Sequence, residues 1–166
     1  MFDTIIESVF QALNLILSGD PEVISVAIRS LYVSGLAIIL ACLWGIPIAL
    51  ALALSSFPGK RIVRGFFNSM IGIPTVALGL ILFLLLSKSG PLGFIDLLYT
   101  PLAMSIGQSI LITPILVSFA SSAIESTDVE VRNLAKTLGA SKLQTTFVVI
   151  RESFWGITLA IIASFN

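Results

Sequence analysis

Histidine is absent and cysteine occurs once, at Cys42, in a chain of 166 residues. No disulfide can close within such a chain, and the Cys/His clusters that hold zinc or iron–sulfur centres cannot form, so neither a metal site nor a cofactor is expected. Cys42 lies inside an apolar run and reads as a small packing residue. Charge is almost as scarce. Nine basic and nine acidic residues cancel, and only 11% of the chain is charged, against about 25% in ordinary soluble domains. That balance leaves no basic surface for nucleic acid. The N-terminus also lacks the basic start and small-residue cleavage site of a secretory signal peptide.

Apolar residues take up the space, at 57% of the chain with a mean hydropathy of +1.08. Two runs, Ser30 to Phe57 and Leu97 to Ile124, carry no charge over 28 residues each, where about 20 suffice to cross a bilayer as a helix. The chain is therefore expected to be an all-α, polytopic transmembrane protein. Residues 1–18 interrupt their apolar positions with Asp3, Glu7, Gln11 and Asn14, so 1–29 is expected to be an interfacial or marginal helix followed by a turn at Gly19–Glu22. Residues 30–166 are expected to form the membrane domain. In its first span Ala41, Gly45, Ala49 and Ala53 recur every four residues, a stripe that lets another helix approach closely. The basic loop Pro58-Gly59-Lys60-Arg61, with Arg64 one turn on, is expected on the cytoplasmic side. A second span is expected from Gly65 to Ser87, with a break at Gly72-Ile73-Pro74. Lys88 to Asp96 then returns the chain outside.

The third span, Leu97 to Ile124, is unusually polar. Ser105, Ser109 and Thr113 share one helical face with Gln108 beside them. Such a stripe must face protein or a water-filled path, because unsatisfied polar groups in lipid are costly. Interhelical hydrogen bonding and path lining are both open. Intramembrane catalysis is disfavoured, since the secure spans contain no Asp, Glu, Lys or Arg. After residues 125–153 a fourth apolar segment, Phe154 to Phe165, runs for only about a dozen residues, well short of a span, and reads as the start of a longer element in a fuller sequence.

Between the third and fourth apolar segments lies the one long polar stretch. Asp128 is a plausible helix cap, Leu134 and Leu138 fall on one face, and Gly139 is a natural C-terminal stop before Ala140-Ser141. Each charge at bilayer depth would cost about 2.5 to 3.5 kcal/mol, so this helix–turn–helix must face water. Asn133-Leu134-Ala135, Leu138-Gly139-Ala140-Ser141 and Val149-Ile150-Arg151-Glu152 resemble the "EAA" coupling loop of permease subunits in ABC-type importers. Asn133 stands for the acidic residue of that pattern and Glu152 for its proline. Pro74, Gly90-Pro91-Leu92-Gly93, Gln108, Pro114 and Asp128 follow the order seen in permeases for tetrahedral oxyanions, tungstate importers above all, with molybdate and sulphate importers next.

The resemblance implies a MetI-like fold in the cell membrane, with residues 125–153 cytoplasmic. It further implies a permease homodimer, an extracytoplasmic oxyanion-binding protein and separate ATP-binding subunits. The sequence agrees on one point, because it contains no G-x-x-x-x-G-K-[ST] phosphate loop. Asp128, Asn133, Leu134, Ala135, Leu138, Gly139 and Ala140 would couple ATPase motion to the spans. Ser105, Gln108, Ser109 and Thr113 would offer neutral donors along the anion's path. An importer for molybdate, sulphate or another small solute, or a purely structural membrane anchor, are the alternatives.

Overall fold

The computed structural model describes residues 2–126 and 129–165, and within them there are helices and no strands. Helix α1, Phe2–Leu17, is about 24 Å long, shorter than the roughly 30 Å of hydrocarbon in a bilayer. It leaves Ile6, Phe10 and Leu17 exposed. Gly19 then turns the chain at φ +66°, and the Asp20 carboxylate accepts from the Glu22 and Val23 amides at 2.9 and 3.3 Å. With Pro21 in the first turn, the expected turn at 19–22 is thus the N-cap of α2, Pro21–Leu54. At 34 residues, α2 is about 51 Å long, so it begins before Ser30 and carries Glu22 and Arg29 on its N-terminal extension.

The second apolar segment is not one straight span. Helix α3, Lys60–Met70, and helix α4, Thr75–Leu86, meet at 97°. Pro74 occupies the N-cap position of α4, where its missing N–H is harmless, and the proline disfavours helical geometry in Ile73 before it. A tight link follows. A Cβ added at Gly90 would lie 2.1 Å from the Leu84 carbonyl oxygen, and one at Gly93 would lie 2.3 Å from that of Ser87. Only hydrogen fits at either place. Thr100 caps α5, Pro101–Glu125, by accepting from the Ala103 amide. The later helices are α6, Val129–Thr137, α7, Lys142–Glu152, and α8, Phe154–Ser164. Helices α7 and α8 meet at 58°. By length and composition α2 and α5 can each cross a membrane, and four crossings result if each bent pair counts as one.

Helix α5 is the centre of the packing, with α2 along one side and α8 along another. The small stripe of α2 is buried as its spacing predicts, and Ala37 extends it to Ala37, Ala41, Gly45, Ala49 and Ala53. A Cβ at Gly45 would meet Leu116 Cδ2 at 3.0 Å. Ala41 and Ala49 share a cluster with Ile112, Leu116 and Ala120 of α5 and Ala160 of α8. A second cluster joins Ala53, Ile124 and Val149, and so ties α7 to the ends of both long helices.

Gly156 of α8 lies tight against α5, since a Cβ there would sit 2.6 Å from the Ala123 Cβ. Neither methyl can rotate away. Gly156→Ala is expected to destabilise the protein by about 1 to 3 kcal/mol, the usual range for overpacking. Gly35→Ala on α2, where a Cβ meets nothing within 4 Å, should be neutral. Thermal unfolding midpoints in detergent check the pair.

Candidate functional site

The candidate coupling segment is built from strong local signals. Helix α6 ends in a Schellman motif: the Gly139 amide donates to Lys136 O and the Ala140 amide to Ala135 O, both at 3.0 Å. Gly139 takes φ +79°, the left-handed geometry that glycine adopts without strain. Ser141 then opens α7 with a capping box: its hydroxyl accepts from the Gln144 amide, and the Gln144 side chain accepts from the Ser141 amide. Sequence reading found the glycine stop but missed this box, although Ser141-x-x-Gln144 spells it.

Ala135 is buried, Ala140 is half-buried, and Asn133, Leu134, Leu138 and Gly139 are exposed. Asp128, the expected cap, lies outside the described residues. Leu134 and Leu138 are 61% and 79% exposed, and Leu143 and Phe147 of α7 are 83% and 69% exposed. Water-facing helices do not ordinarily present four large apolar side chains so fully, and such a surface fits a partner. At its far end α7 buries Val149 among Ala53 and Ile124. The segment is therefore anchored at one end and apolar at the other.

The structure brings the polar stripe of α5 together along its seam with α2. The Ser105 hydroxyl lies 3.1 Å from Val33 O and 2.9 Å from Pro101 O. Gln108 Nε2 donates to Ser34 Oγ at 3.4 Å. Ser109 and Thr113 each donate at 2.6 Å to backbone oxygens of α5, those of Ile106 and Ser109. Thr113 Oγ1 in turn accepts from the Trp44 indole at 2.7 Å. Ser105 and Ser109 have no exposed surface, whereas Gln108 is half-buried. Sequence reading missed Trp44. A tryptophan inside an apolar run still has an N–H to satisfy, and that was the available signal.

A third group was also missed. Lys60 Nζ lies 2.9 Å from Glu125 Oε1, and Arg64 donates to Glu125 Oε2. One turn further on α3, Asn68 Oδ1 accepts from the Ser118 hydroxyl at 2.7 Å. Positions 60, 64 and 68 thus form one helical face, which climbs along α5 from Glu125 to Ser118.

Residues 45–165 match the family described as the binding-protein-dependent transport system inner membrane component. The chain belongs to this family. The matched residues include the α5 side of the seam, the ion cluster and the α6–α7 segment, and the chain is a multi-pass membrane protein of the MetI-like permease type. A probable anion ABC transporter permease protein of Haloferax volcanii is 39% identical over 143 residues, which cover 86% of this chain and 62% of that protein. The tungstate uptake system permease protein TupB of Peptoclostridium acidaminophilum is 35% identical over 155 residues, covering 93% and 68%. The molybdenum transport system permease protein ModB of Escherichia coli K12 is 30% identical, covering 78% and 59%. The chain spans between 59% and 68% of the length of these relatives.

The cluster predicts a local effect. Glu125→Gln should loosen α3 by about 1 kcal/mol, since the groups are partly solvated and surface pairs are individually weak. Amide hydrogen exchange is expected to speed up several-fold across residues 60–70 and to stay unchanged in the Ala41 to Ala49 stretch of α2.

Proposed function

We propose that this protein is the permease subunit of an ATP-driven ABC importer that carries a tetrahedral oxyanion, tungstate foremost. The observation that carries the reading is the α6–Gly139–α7 element, a rigid polar hairpin with an exposed apolar surface between two packed apolar regions. A helical anchor needs no such insert. Family membership and the oxyanion permeases among the relatives support both the transporter class and the substrate.

In this reading two permeases form a homodimer, and an extracytoplasmic binding protein delivers the anion. Separate ATP-binding subunits receive the tip of the hairpin at Leu134 and Leu138. Closure of the ATPases pushes on the hairpin, whose Schellman turn and capping box keep it from deforming. The push reaches the spans at Val149, which packs on Ala53 of α2 and Ile124 of α5. The bistable element is the dimer interface. For the path, Ser105, Gln108, Ser109 and Thr113 supply neutral hydrogen bonds that pass a dianion on without trapping it. Their bonds at rest run within the α2–α5 seam, so the seam must rearrange in transit, and half-buried Gln108 leads the set.

Three measurements test these points. Lys60→Cys should be labelled only from the cytoplasmic side of intact cells, and labelling from outside would reverse the topology and remove the coupling assignment. In the assembled importer, ATPase stimulation by a binding protein loaded with tungstate should exceed that with sulphate or phosphate, and the opposite order would sink the oxyanion subgroup. Gly139→Val places a β-branched residue at φ +79°, a strain of about 1 to 2 kcal/mol. It should abolish most uptake while the helices still insert, and Leu134→Asp should do the same by weakening ATPase co-purification. Full uptake and full association in both variants would exclude the hairpin as the coupling element.

A further inference from the structure

At the junction of α2 and α3 the chain forms a hollow of about 380 Å³ lined by Phe57, Gly59, Lys60, Arg61 and Arg64. Three cations therefore line it, and Glu125 pairs with two of them. Their roles differ. Lys60 and Arg64 are held by Glu125, whereas Arg61 is exposed and has no ion-pair partner among the described residues. One carboxylate against three cations leaves a surplus of positive charge at one spot, in a protein whose formal net charge is zero. The first turn of α3 adds to it, since Gly59 provides no side-chain cap and the helix presents its positive end there.

The position of the hollow identifies its occupant. It lies where α2 ends at Leu54 and where α5 ends at Glu125, at one end of the two helices long and apolar enough to cross a membrane. Apolar side chains are uncovered on the same helix: Ile62, next to Arg61 in the chain, is 78% exposed and Phe66, one turn further along α3, is 60% exposed, while Phe57 forms part of the wall. Cations at the height of the headgroups with uncovered apolar groups beside them match a molecule that is anionic at one end and hydrocarbon at the other. A free inorganic anion would use only the cations.

We propose that the Lys60–Arg61–Arg64 hollow is a binding site for the phosphate of an anionic phospholipid, with its acyl chains lying against Ile62 and Phe66. Arg61 makes the direct contact, and Glu125 orients Lys60 and Arg64 around it. The bound lipid would brace α3 against α5 through the same residues that already clamp them. The proposal rests on the orientation above only for the leaflet that supplies the lipid.

Native mass spectrometry of the purified chain released from neutral detergent micelles tests the site without reference to orientation. With equal amounts of phosphatidylglycerol and phosphatidylcholine added, phosphatidylglycerol adducts should dominate. Arg61→Ala should reduce them about fivefold, the effect of one basic residue at an anionic surface, and leave phosphatidylcholine adducts unchanged. Arg61 is exposed and belongs to neither buried cluster, so the variant should keep the thermal midpoint of the parent. Lys88→Ala, at the far end of α4, should have no effect on either lipid. Equal retention of the two lipids, or an Arg61→Ala variant that retains phosphatidylglycerol as well as the parent, overturns the site. Displacement of the lipid by millimolar inorganic phosphate would make it a site for free anions and overturn the lipid assignment. If lipid binding fails while Lys60→Cys is still labelled from the cytoplasm, the lipid site falls and the importer topology stands.

Discussion

Helices that cross a bilayer gain little hydrophobic free energy by leaving lipid for one another, because lipid tails are as apolar as their own side chains. What holds α2 to α5 must then be close packing and hydrogen bonds, and the rest of the structure depends on that contact. The stripe from Ala37 to Ala53 lets the backbones approach, and Leu116 fills the space that Gly45 leaves. Hydroxyl and indole groups bond across or along the seam instead of facing hydrocarbon. Small residues recur where other helices reach α5: Gly107 meets Leu82 of α4, and Gly156 meets Ala123. Helix α5 thus serves as a central post.

The segments at the Glu125 end of this post take their positions from contacts with it. Helix α3 is clamped there by two cations on one carboxylate, and it is secured higher up by Asn68 on Ser118. Helix α7 is pinned nearby through Val149. Between them the α6–α7 hairpin projects with its leucines uncovered. A hairpin closed by a Schellman turn and a capping box and anchored through Val149 would serve as the lever that the proposed coupling requires. The bend of 58° between α7 and α8 arises without the proline of the family pattern. Ser153 is buried at that corner.

Features with a local cause were legible in advance. The stripe on α2 follows from spacing alone, and the stop at Gly139 follows from one residue's freedom at positive φ. Sequence also marked Ser105, Ser109 and Thr113 as a common face, because 3.6-residue periodicity needs no knowledge of the partner. Their bonding was a different matter. Val33 lies 72 residues from Ser105 and Trp44 lies 69 from Thr113, and no local rule links them. The same holds for Glu125, 61 residues from Arg64.

The angle between α3 and α4 shows the division most plainly. Gly72 and Pro74 establish that the helix breaks, because proline removes a donor and restricts its neighbour, but a break of four residues is compatible with many angles. The 97° bend is selected by contacts that α3 makes with Glu125 and Ser118 and that α4 makes near Gly107. The sequence by itself determined that this is a helical membrane protein with a polar helix–turn–helix between its apolar segments, since burial of charge and of unpaired backbone groups in lipid is prohibitive whatever the partners are. Which faces meet, where each hydroxyl donates and which cations surround Glu125 were decided only in the tertiary structure, because those energies exist only between residues that folding brings together.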